Sequence, residues 1–488
     1  MQSRPNIVLI TTDQHRGDCL SVAKSSHPVM TPHLDQLARE GIRFERAYTD
    51  CPLCVPARMT IMTGKCAYTH GAAGHEFMDM PEEDHKTLAG RLTSAGYQTQ
   101  AVGKMHFHPA RARYGFERTR IVLEDYVNWL EGTPYAGGYR GHGVAGNEVY
   151  PTYSPVPEAF YHTRWTVDES IQFLEQRDPR APFFMWTSFE APHPPFDPPE
   201  SAVRLYDDTT IPSPVIADWA ANEETPAWFA YTRMLYNLDL LNPQTIQTIR
   251  KHYYAQITHV DYELGRLFGS LRDRGLWDNT IIVFASDHGE MLGDHGLFHK
   301  SCFYDPSARV PFILRLPESM QDQLQPGQVV QTPVTLADLY PTLLTLAGAL
   351  HEGDMAGRDG MNVMDLLNND GNERWVFGYR NDLHGLYMAT NGRWKYLYYV
   401  ADGEEQLFDL SQDPNECDNL AGQSAHGDRL ATCRCMLLQQ FKELADETGQ
   451  SDTGLKMEQV ELDESRIKAM NPMAWWGPIR YGGLRRKL

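Results

Sequence analysis

The segment from Cys51 to Gly64 reads CPLCVPARMTIMTG. Cys51 and Cys54 have the C-x-x-C spacing of thiol redox centres and zinc knuckles. A redox thiol sits best at a helix N-terminus, where the dipole lowers its pKa, and Pro56 fits a helix start. Zinc needs a second ligand pair at similar spacing; Cys433 and Cys435 are C-x-C and lie far away in the chain. Arg58 follows Cys54 by four residues, one helical turn, so it can reach back toward the same point.

Four more clusters of ionisable residues each follow a short apolar run. Asn6 to Thr12 stops at Asp13-Gln14, and Gln98 to Val102 stops at Gly103-Lys104-Met105-His106. Phe183 to Ser188 stops before Glu190-Ala191-Pro192-His193, and Thr280 to Ala285 stops at Ser286-Asp287-His288-Gly289. A carboxylate beside a side-chain carbonyl, as in Asp13-Gln14, is the donor set of a hard cation. One such ending is chance; four point to a single site assembled from distant segments.

The elements that must position these residues follow from the same runs. Continuous apolar stretches of this length suit strands buried on both faces of a mostly parallel sheet. Helical patterns lie between them. Thr31-Pro32 reads as an N-cap and first helical residue, and Gly41 as the stop. Thr87 to Ala95 is a second helix, and Ile257, Val260, Leu264, Leu267 and Leu271 form the core-facing stripe of a third. The expected class is α/β, a large mostly parallel, mixed sheet between helices, with ligands beyond the carboxyl ends of its strands.

After about Asp370 the pattern changes. Trp394 to Val400, a turn at Ala401-Asp402-Gly403, and Gln406 to Leu410 read as a hairpin, followed by a helix over Asp428 to Glu447. The expected division is a catalytic α/β domain over 1–370, a small C-terminal antiparallel-sheet subdomain over 371–450, and an extended tail over 451–488.

The chain of 488 residues carries a net charge of −20. That argues against nucleic acid as a partner, which requires a basic face. It permits an anionic small substrate, because a local cluster of Lys, Arg and metal inverts the field in one cleft. Eight cysteines at scattered positions imply no disulfide framework. No apolar run is long enough for a membrane span and none at the start has signal-peptide character, so a cytoplasmic protein is expected.

Cys54-Val55-Pro56-Ala57-Arg58, continuing to Gly64, resembles the C-x-P-x-R maturation signature of type I, formylglycine-dependent sulfatases in the alkaline-phosphatase-like superfamily. The other clusters resemble that family in order and type. The resemblance implies that a maturation enzyme oxidises Cys54 to formylglycine, whose hydrate is the nucleophile, and that Cys51 is a bystander. It implies a divalent metal at Asp13, Gln14, Cys54, Asp287 and His288, calcium before magnesium or manganese. Lys104 would bind sulfate, and His106 would take the proton of the second hydroxyl when sulfate leaves. His193 would protonate the departing alcohol, and Lys300, thirteen residues after Asp287, would hold non-bridging oxygens. Arg58, Lys104, Lys300, His193 and the metal would then surround a tetrahedral anion.

Trp394-Lys395-Tyr396, Glu405 to Leu410, Asp413-Pro414-Asn415-Glu416 and Asn419-Leu420 also resemble the family's usual ending. The implied function is hydrolysis of a carbohydrate or small-alcohol sulfate. The alternatives are a phosphonate monoester or phosphodiester hydrolase on the same scaffold, or a choline sulfatase. His108 reads as a pocket-wall residue; His295 and His299 read as structural or substrate-rim residues. The tail, with Trp475-Trp476, is expected to pack on a neighbouring subunit.

Overall fold

The computed structural model describes residues 4–74, 78–221, 229, 241–367, 373–381, 385–446 and 453–457. Its centre is an eight-stranded sheet. In chain order the strands are β1 (Asn6–Asp13), β2 (Ile42–Phe44), β3 (Ala47–Tyr48), β4 (Gln98–Gly103), β5 (Arg118–Ile121), β6 (Phe183–Pro192), β7 (Thr280–Ser286), β8 (Phe312–Arg315), β9 (Val329–Val330) and β10 (Val334–Thr335). The sheet order is β5-β4-β6-β1-β7-β8-β2-β9, with β3 and β10 paired separately. β5, β4, β6, β1 and β7 run parallel, and β8 is antiparallel to both neighbours.

β1, β6 and β7 are buried along their whole length, as continuous apolar runs at the centre of a covered sheet require. One face packs on the long helix Pro243–Asp273 and helix His162–Gln176 through Val8, Ile10, Met185, Val260, Leu264 and Phe284. The other packs on a cluster holding Ile7, Leu9, Trp186, Ala57 and Ile61. The four strands expected from sequence are present, and each runs one to four residues farther toward the charged ending.

The first helix, α1 (Pro32–Glu40), starts and stops where expected, with Gly41 closing it. Its N-terminus is not capped by Thr31, whose hydroxyl instead meets Ser21 and Asp35. Asp261, from the long helix, accepts from the backbone N–H groups of His33 and Leu34 instead. The helix α2 (Cys54–Thr63) begins at Cys54 itself, two residues before Pro56.

A separate four-stranded antiparallel sheet, β11 (Val376–Arg380), β12 (Leu386–Thr390), β13 (Trp394–Tyr399) and β14 (Glu404–Asp409), follows in simple meander order. The expected hairpin is β13–β14. The helix behind it spans Gly427–Gln440 and stops short of Glu447. Phe441 leaves the helical path to join a ring cluster with Tyr68, Tyr379 and Tyr387. Among the described residues no helix is long and apolar enough to cross a membrane. The Trp475-Trp476 tail lies outside the described residues.

Candidate active site

The carboxyl ends of β1, β4, β6 and β7 bring Asp13, Lys104, His193 and Asp287 to one place. α2 supplies Cys54 there from its first turn, where unsatisfied N–H groups and the helix dipole favour negative charge. Cys54 Sγ lies 3.6 Å from Asp13 Oδ1 and 3.2 Å from His288 Nε2. His106 also hydrogen-bonds to it, and His193 stands beside it. Burial alone raises a thiol pKa, but the charges of Lys300, Lys104 and His288 pull the Cys54 thiol well below its ordinary value. The site thus holds an anion at that point.

The donor atoms fit a divalent ion. Asp13, Cys54, Asp287 and His288 are fully buried, and each offers one ligand atom within 4.8 Å of the others. Two desolvated carboxylates face each other: burial and the Asp13 charge push the Asp287 carboxyl up. Burial also works on Asp13, yet Lys104, His193 and Arg58 hold its carboxyl below the usual range. His288 donates from Nδ1 to the Gly289 carbonyl at 3.0 Å. Asp287 and the Cys54 thiolate raise its pKa against burial; in the neutral form that a metal requires, the Nδ1 bond would leave the Nε2 lone pair toward the cluster, the usual outer arrangement of a metal-ligating histidine. Gln14 stands beside them, its Oε1 accepting from Lys300 Nζ at 2.5 Å and its Nε2 donating to Glu290.

Arg58 departs from expectation. Its Nε donates to Asp287 Oδ2, its Nη1 to Ser188 Oγ and the Lys104 carbonyl, and its Nη2 lies at 3.1 and 3.0 Å from Asp13 and Asp287. Every guanidinium nitrogen is engaged with protein, and the side chain is 1% exposed. Arg58 therefore braces the two carboxylates and faces no substrate. The open cations are Lys104, whose Nζ is 2.8 Å from Asp13 Oδ2, and Lys300.

Backbone geometry places these groups. Gly103 has φ of 97°, and a Cβ there would lie 1.9 Å from the Ser188 carbonyl, so only glycine lets β4 turn beside β6 and present Lys104. Lys300 sits between His299 and Ser301, both left-handed at φ 67° and 85°. Its loop is held by Glu290, which accepts from the His299 N–H at 2.6 Å, and by Arg380, which donates to the Ser301 carbonyl. His193 donates from Nδ1 to the Pro194 carbonyl at 2.7 Å, and its Nε2 accepts from Lys300 at 3.1 Å. Burial, then Lys104 and Lys300, push His193 down to about 4.

His299 is buried beside Lys300 and held neutral by burial and that charge. His295 packs on Trp219, with ring centroids 4.9 Å apart. His108 is half-exposed and bonds to Asp79 at 3.0 Å. Cys51 points to another buried cluster, with Leu53, Ala67 and Ala73, and all eight cysteines are free thiols.

Sequence reasoning assigned no role to Glu290 or Ser188. Glu290 lies two residues past His288, just beyond the quoted turn, and that closeness is its one signal. Ser188 carries none, because its partners Thr11 and Arg58 come from other segments. The segment between Ile121 and Pro157, which has no readable motif, also reaches the site. Arg140 and Tyr139 bond to Glu190 at 2.6 and 3.0 Å, and Glu190 acts through its charge on Lys104.

Residues 5–349 match the family model described as Sulfatase, and residues 293–444 match that described as N-sulphoglucosamine sulphohydrolase, C-terminal. The chain is 34% identical to the arylsulfatase of Clostridium perfringens, over 90% of this chain and 95% of that one. It is 30% identical to the choline-sulfatase of Rhizobium meliloti, over 86% and 82%. The structure resembles the phosphonate monoester hydrolase of Agrobacterium radiobacter with a TM-score of 0.76 and 25% identity, covering 94% of this chain and all of that one. With its sheet, its four strand endings and these matches, the chain belongs to the sulfatase family of the alkaline-phosphatase-like superfamily. It is a sulfatase, an enzyme that hydrolyses sulfate esters.

Proposed function

We propose that the protein hydrolyses the sulfate ester of a carbohydrate or small alcohol at Cys54, after that residue has been converted to formylglycine. The observation that carries this reading is the convergence on Cys54 Sγ. An anion-favouring helix N-terminus, two lysines and three histidines meet there beside two buried carboxylates.

Asp13, Gln14, Asp287 and His288 would hold the divalent ion, calcium by preference for the oxygen donors. When bound, it would supply positive charge to the anion held at this point. The formylglycine hydrate supplies two hydroxyls on one carbon, one to attack sulfur and one whose deprotonation lets sulfate leave by C–O cleavage.

This chain's own groups do the rest. Lys104 and Lys300 flank the anion and fix two of its oxygens by charge. Arg58 sets the angle between Asp13 and Asp287. His106, bonded to the Cys54 side chain, removes the second hydroxyl's proton. The leaving alcohol takes its proton from the Lys300–His193 pair. His193 Nε2 accepts from Lys300, so a proton passed to Nε2 would be available to the departing oxygen of a sulfate ester seated beside the pair.

The polar rim supports a sugar. Tyr139 and Arg140 on Glu190, and His142 on Asp197 at 3.0 Å, set hydrogen-bonding groups around the His193 segment. Mass spectrometry of the Cys54 peptide, with rates on sulfated mono- and disaccharides, choline sulfate and an aryl phosphonate monoester, tests the reading. Cys54→Ala should lose roughly 10⁴-fold or more in kcat, and full turnover in that variant would end the proposal. The second reading, phosphonate monoester hydrolysis, draws on the likeness to that hydrolase and predicts the aryl phosphonate as the better substrate.

A further inference from the structure

Arg111, Arg113, Arg118 and Arg120 place four arginines within ten residues of a chain that has 44 Lys and Arg in 488. All four line one half-open pocket of about 340 Å³. It lies at the edge of the main sheet, between β5, the outermost strand, and the helix His162–Gln176. Arg118 and Arg120 are two residues apart in β5, so they stand on the same face of the strand. Arg111, Arg113 and Arg118 are exposed and Arg120 partly so, and their charges can be reached from solvent.

The protein does not answer all of this charge. Two carboxylates, Glu117 and Glu169, line the pocket with the four guanidinium groups. Arg120 takes Glu169 in a two-pronged pair at 2.7 and 2.8 Å. Arg111 turns outward to Glu124 at 2.6 Å and Asp125 at 3.3 Å. Glu117 Oε2 accepts from the Thr99 N–H at 3.0 Å. Arg113 donates from Nη1 to the Glu117 carbonyl at 2.9 Å, an uncharged acceptor. Arg118 has no ion pair or side-chain hydrogen bond among the described residues. Arg113 and Arg118 therefore share one pocket with no carboxylate paired to either. In a chain of net charge −20 an anion is held only where such a local excess of cations inverts the field.

The rest of the lining suits a sugar. Gln172 and Gln176, one turn apart on the helix, and Thr119 offer neutral donors and acceptors for hydroxyls, and Phe173 adds an apolar surface. Guanidinium forks match the oxygens of a sulfate group. The volume falls at the low end of the ~300–1,000 Å³ range of small-molecule sites, more than a bare oxyanion fills. We propose that this pocket is a non-catalytic binding site for one sulfated sugar unit, with its sulfate on Arg113 and Arg118 and its hydroxyls on the two glutamines. It is separate from the catalytic centre: Gln100, which lines it, lies on β4 four residues before Lys104, about 13 Å along the strand. The proposal rests on the sulfatase class and not on which ester the catalytic centre hydrolyses.

The test is hydrogen–deuterium exchange with calorimetric titration of the full-length Cys54→Ala chain, chosen so that hydrolysis does not consume the probe. The probe is glucose 6-sulfate, against glucose and sodium sulfate at matched ionic strength. The expected result is protection of residues 111–120 and 169–176, with the sulfated sugar bound there at least ~10-fold more tightly than either control. Arg113→Gln combined with Arg118→Gln should abolish that protection and weaken the site by ~10-fold or more. The same pair of changes in the converted enzyme should leave Tm and the hydrolysis of a small aryl sulfate unchanged. Lys104→Ala should leave the protection in place. Protection confined to the catalytic centre, equal binding of glucose and its sulfate, sodium sulfate bound as tightly as the sugar, or protection that survives the double variant would overturn the proposal. The comparison of three probes on one protein needs no arginine variant to fold. Because protection is read on named segments and no turnover is measured, failure here and failure of the sulfatase assay remain separate results.

Discussion

Two buried ionic clusters in this molecule are built oppositely. In one, Lys395 from β13 meets Asp305 and Glu416. Its ammonium donates to Glu416 Oε1 at 2.8 Å, to the Phe303 carbonyl at 3.0 Å, and to Asp305. Glu416 Oε2 accepts from the Asp305 N–H at 2.6 Å, and Arg309 pairs with the remaining Asp305 oxygen at 2.9 Å. Every charge is answered inside the protein. In the other, Arg58 takes one oxygen each from Asp13 and Asp287; Asp287 Oδ1 accepts the uncharged backbone N–H groups of Gln14 and His288 at 3.1 and 2.9 Å, and Asp13 Oδ1 is left turned toward His288 and Cys54. The closed cluster fastens the C-terminal sheet to the loop after Lys300. The open one keeps like charges in contact and so remains ready for an ion and a substrate. Burial is common to both; what separates structure from chemistry is the unanswered valence.

The sharpest way to break this contrast is one charge removed from each side. Asp287→Asn removes half the carboxylate charge of the open cluster, and kcat/KM should fall by ~10³-fold, several kcal/mol of transition-state stabilisation. Because burial and Asp13 already oppose charge on Asp287, the chelator-treated variant should melt no lower than chelator-treated wild type. Adding calcium should raise the wild-type Tm and move the variant less. Lys395→Met should do the reverse. It strands two buried carboxylates, and a loss of ~3–5 kcal/mol is expected, read as a lower Tm or failed folding. A Lys395→Met protein with unchanged Tm would show that the closed cluster is not structural.

How far these two clusters were legible in sequence differs for the same reason. Asp13, Lys104, His193 and Asp287 each end an apolar run, so a strand and its charged ending are adjacent in the chain. Parallel strands buried on both faces announce themselves by continuous hydrophobicity, and ligands gather at their carboxyl ends. Lys395 and Glu416 fall in segments that resemble the family's ending, but they and Asp305 come from three separate segments, and nothing in the hairpin pattern around Lys395 shows which carboxylates it meets. Arg58 was legible as a residue near Cys54 but not as a brace, because its partners Ser188 and the Lys104 carbonyl lie 130 and 46 residues away. The three-residue β2 and two-residue β9 are too short to carry a period. The C-terminal helix stopped early because Phe441 gains more from ring packing than from another helical turn.

Glu290 tests how finely the open cluster is tuned. It touches Gln14, Leu292 and His299 by hydrogen bonds and holds both the Gln14 amide and the Lys300 loop. Glu290→Gln keeps the size but brings an amide N–H toward donors. A loss of ~10-fold in kcat/KM is expected, concentrated in KM if Lys300 mainly binds the anion. Activity equal to wild type would remove Glu290 from the positioning network.

The smallest expected effect comes from a third arrangement, a buried carboxylate with no cation at all. Among the described residues Asp261 accepts only from the N–H groups of His33 and Leu34, at 3.0 and 2.8 Å. Burial raises its pKa to about 7, the two backbone bonds lowering it only in part. An unfolded Asp titrates near ~3.9, so between roughly pH 4 and 7 the folded protein binds more protons than the unfolded one. The stability this group contributes is therefore fully present below about pH 4 and is lost as pH rises through about 7. Asp261→Asn cannot ionise and retains one acceptor for the end of α1. The difference in unfolding free energy between variant and wild type should shift in the variant's favour between pH 5 and 8, by on the order of 1 kcal/mol after relaxation around a site of intermediate effective dielectric. Both clusters described above should add a nearly constant background to that difference, since neither touches Asp261. A pH-independent difference would mean that the helix dipole of α1 alone keeps Asp261 ionised throughout, and that a helix terminus can answer a buried charge as fully as Lys395 does.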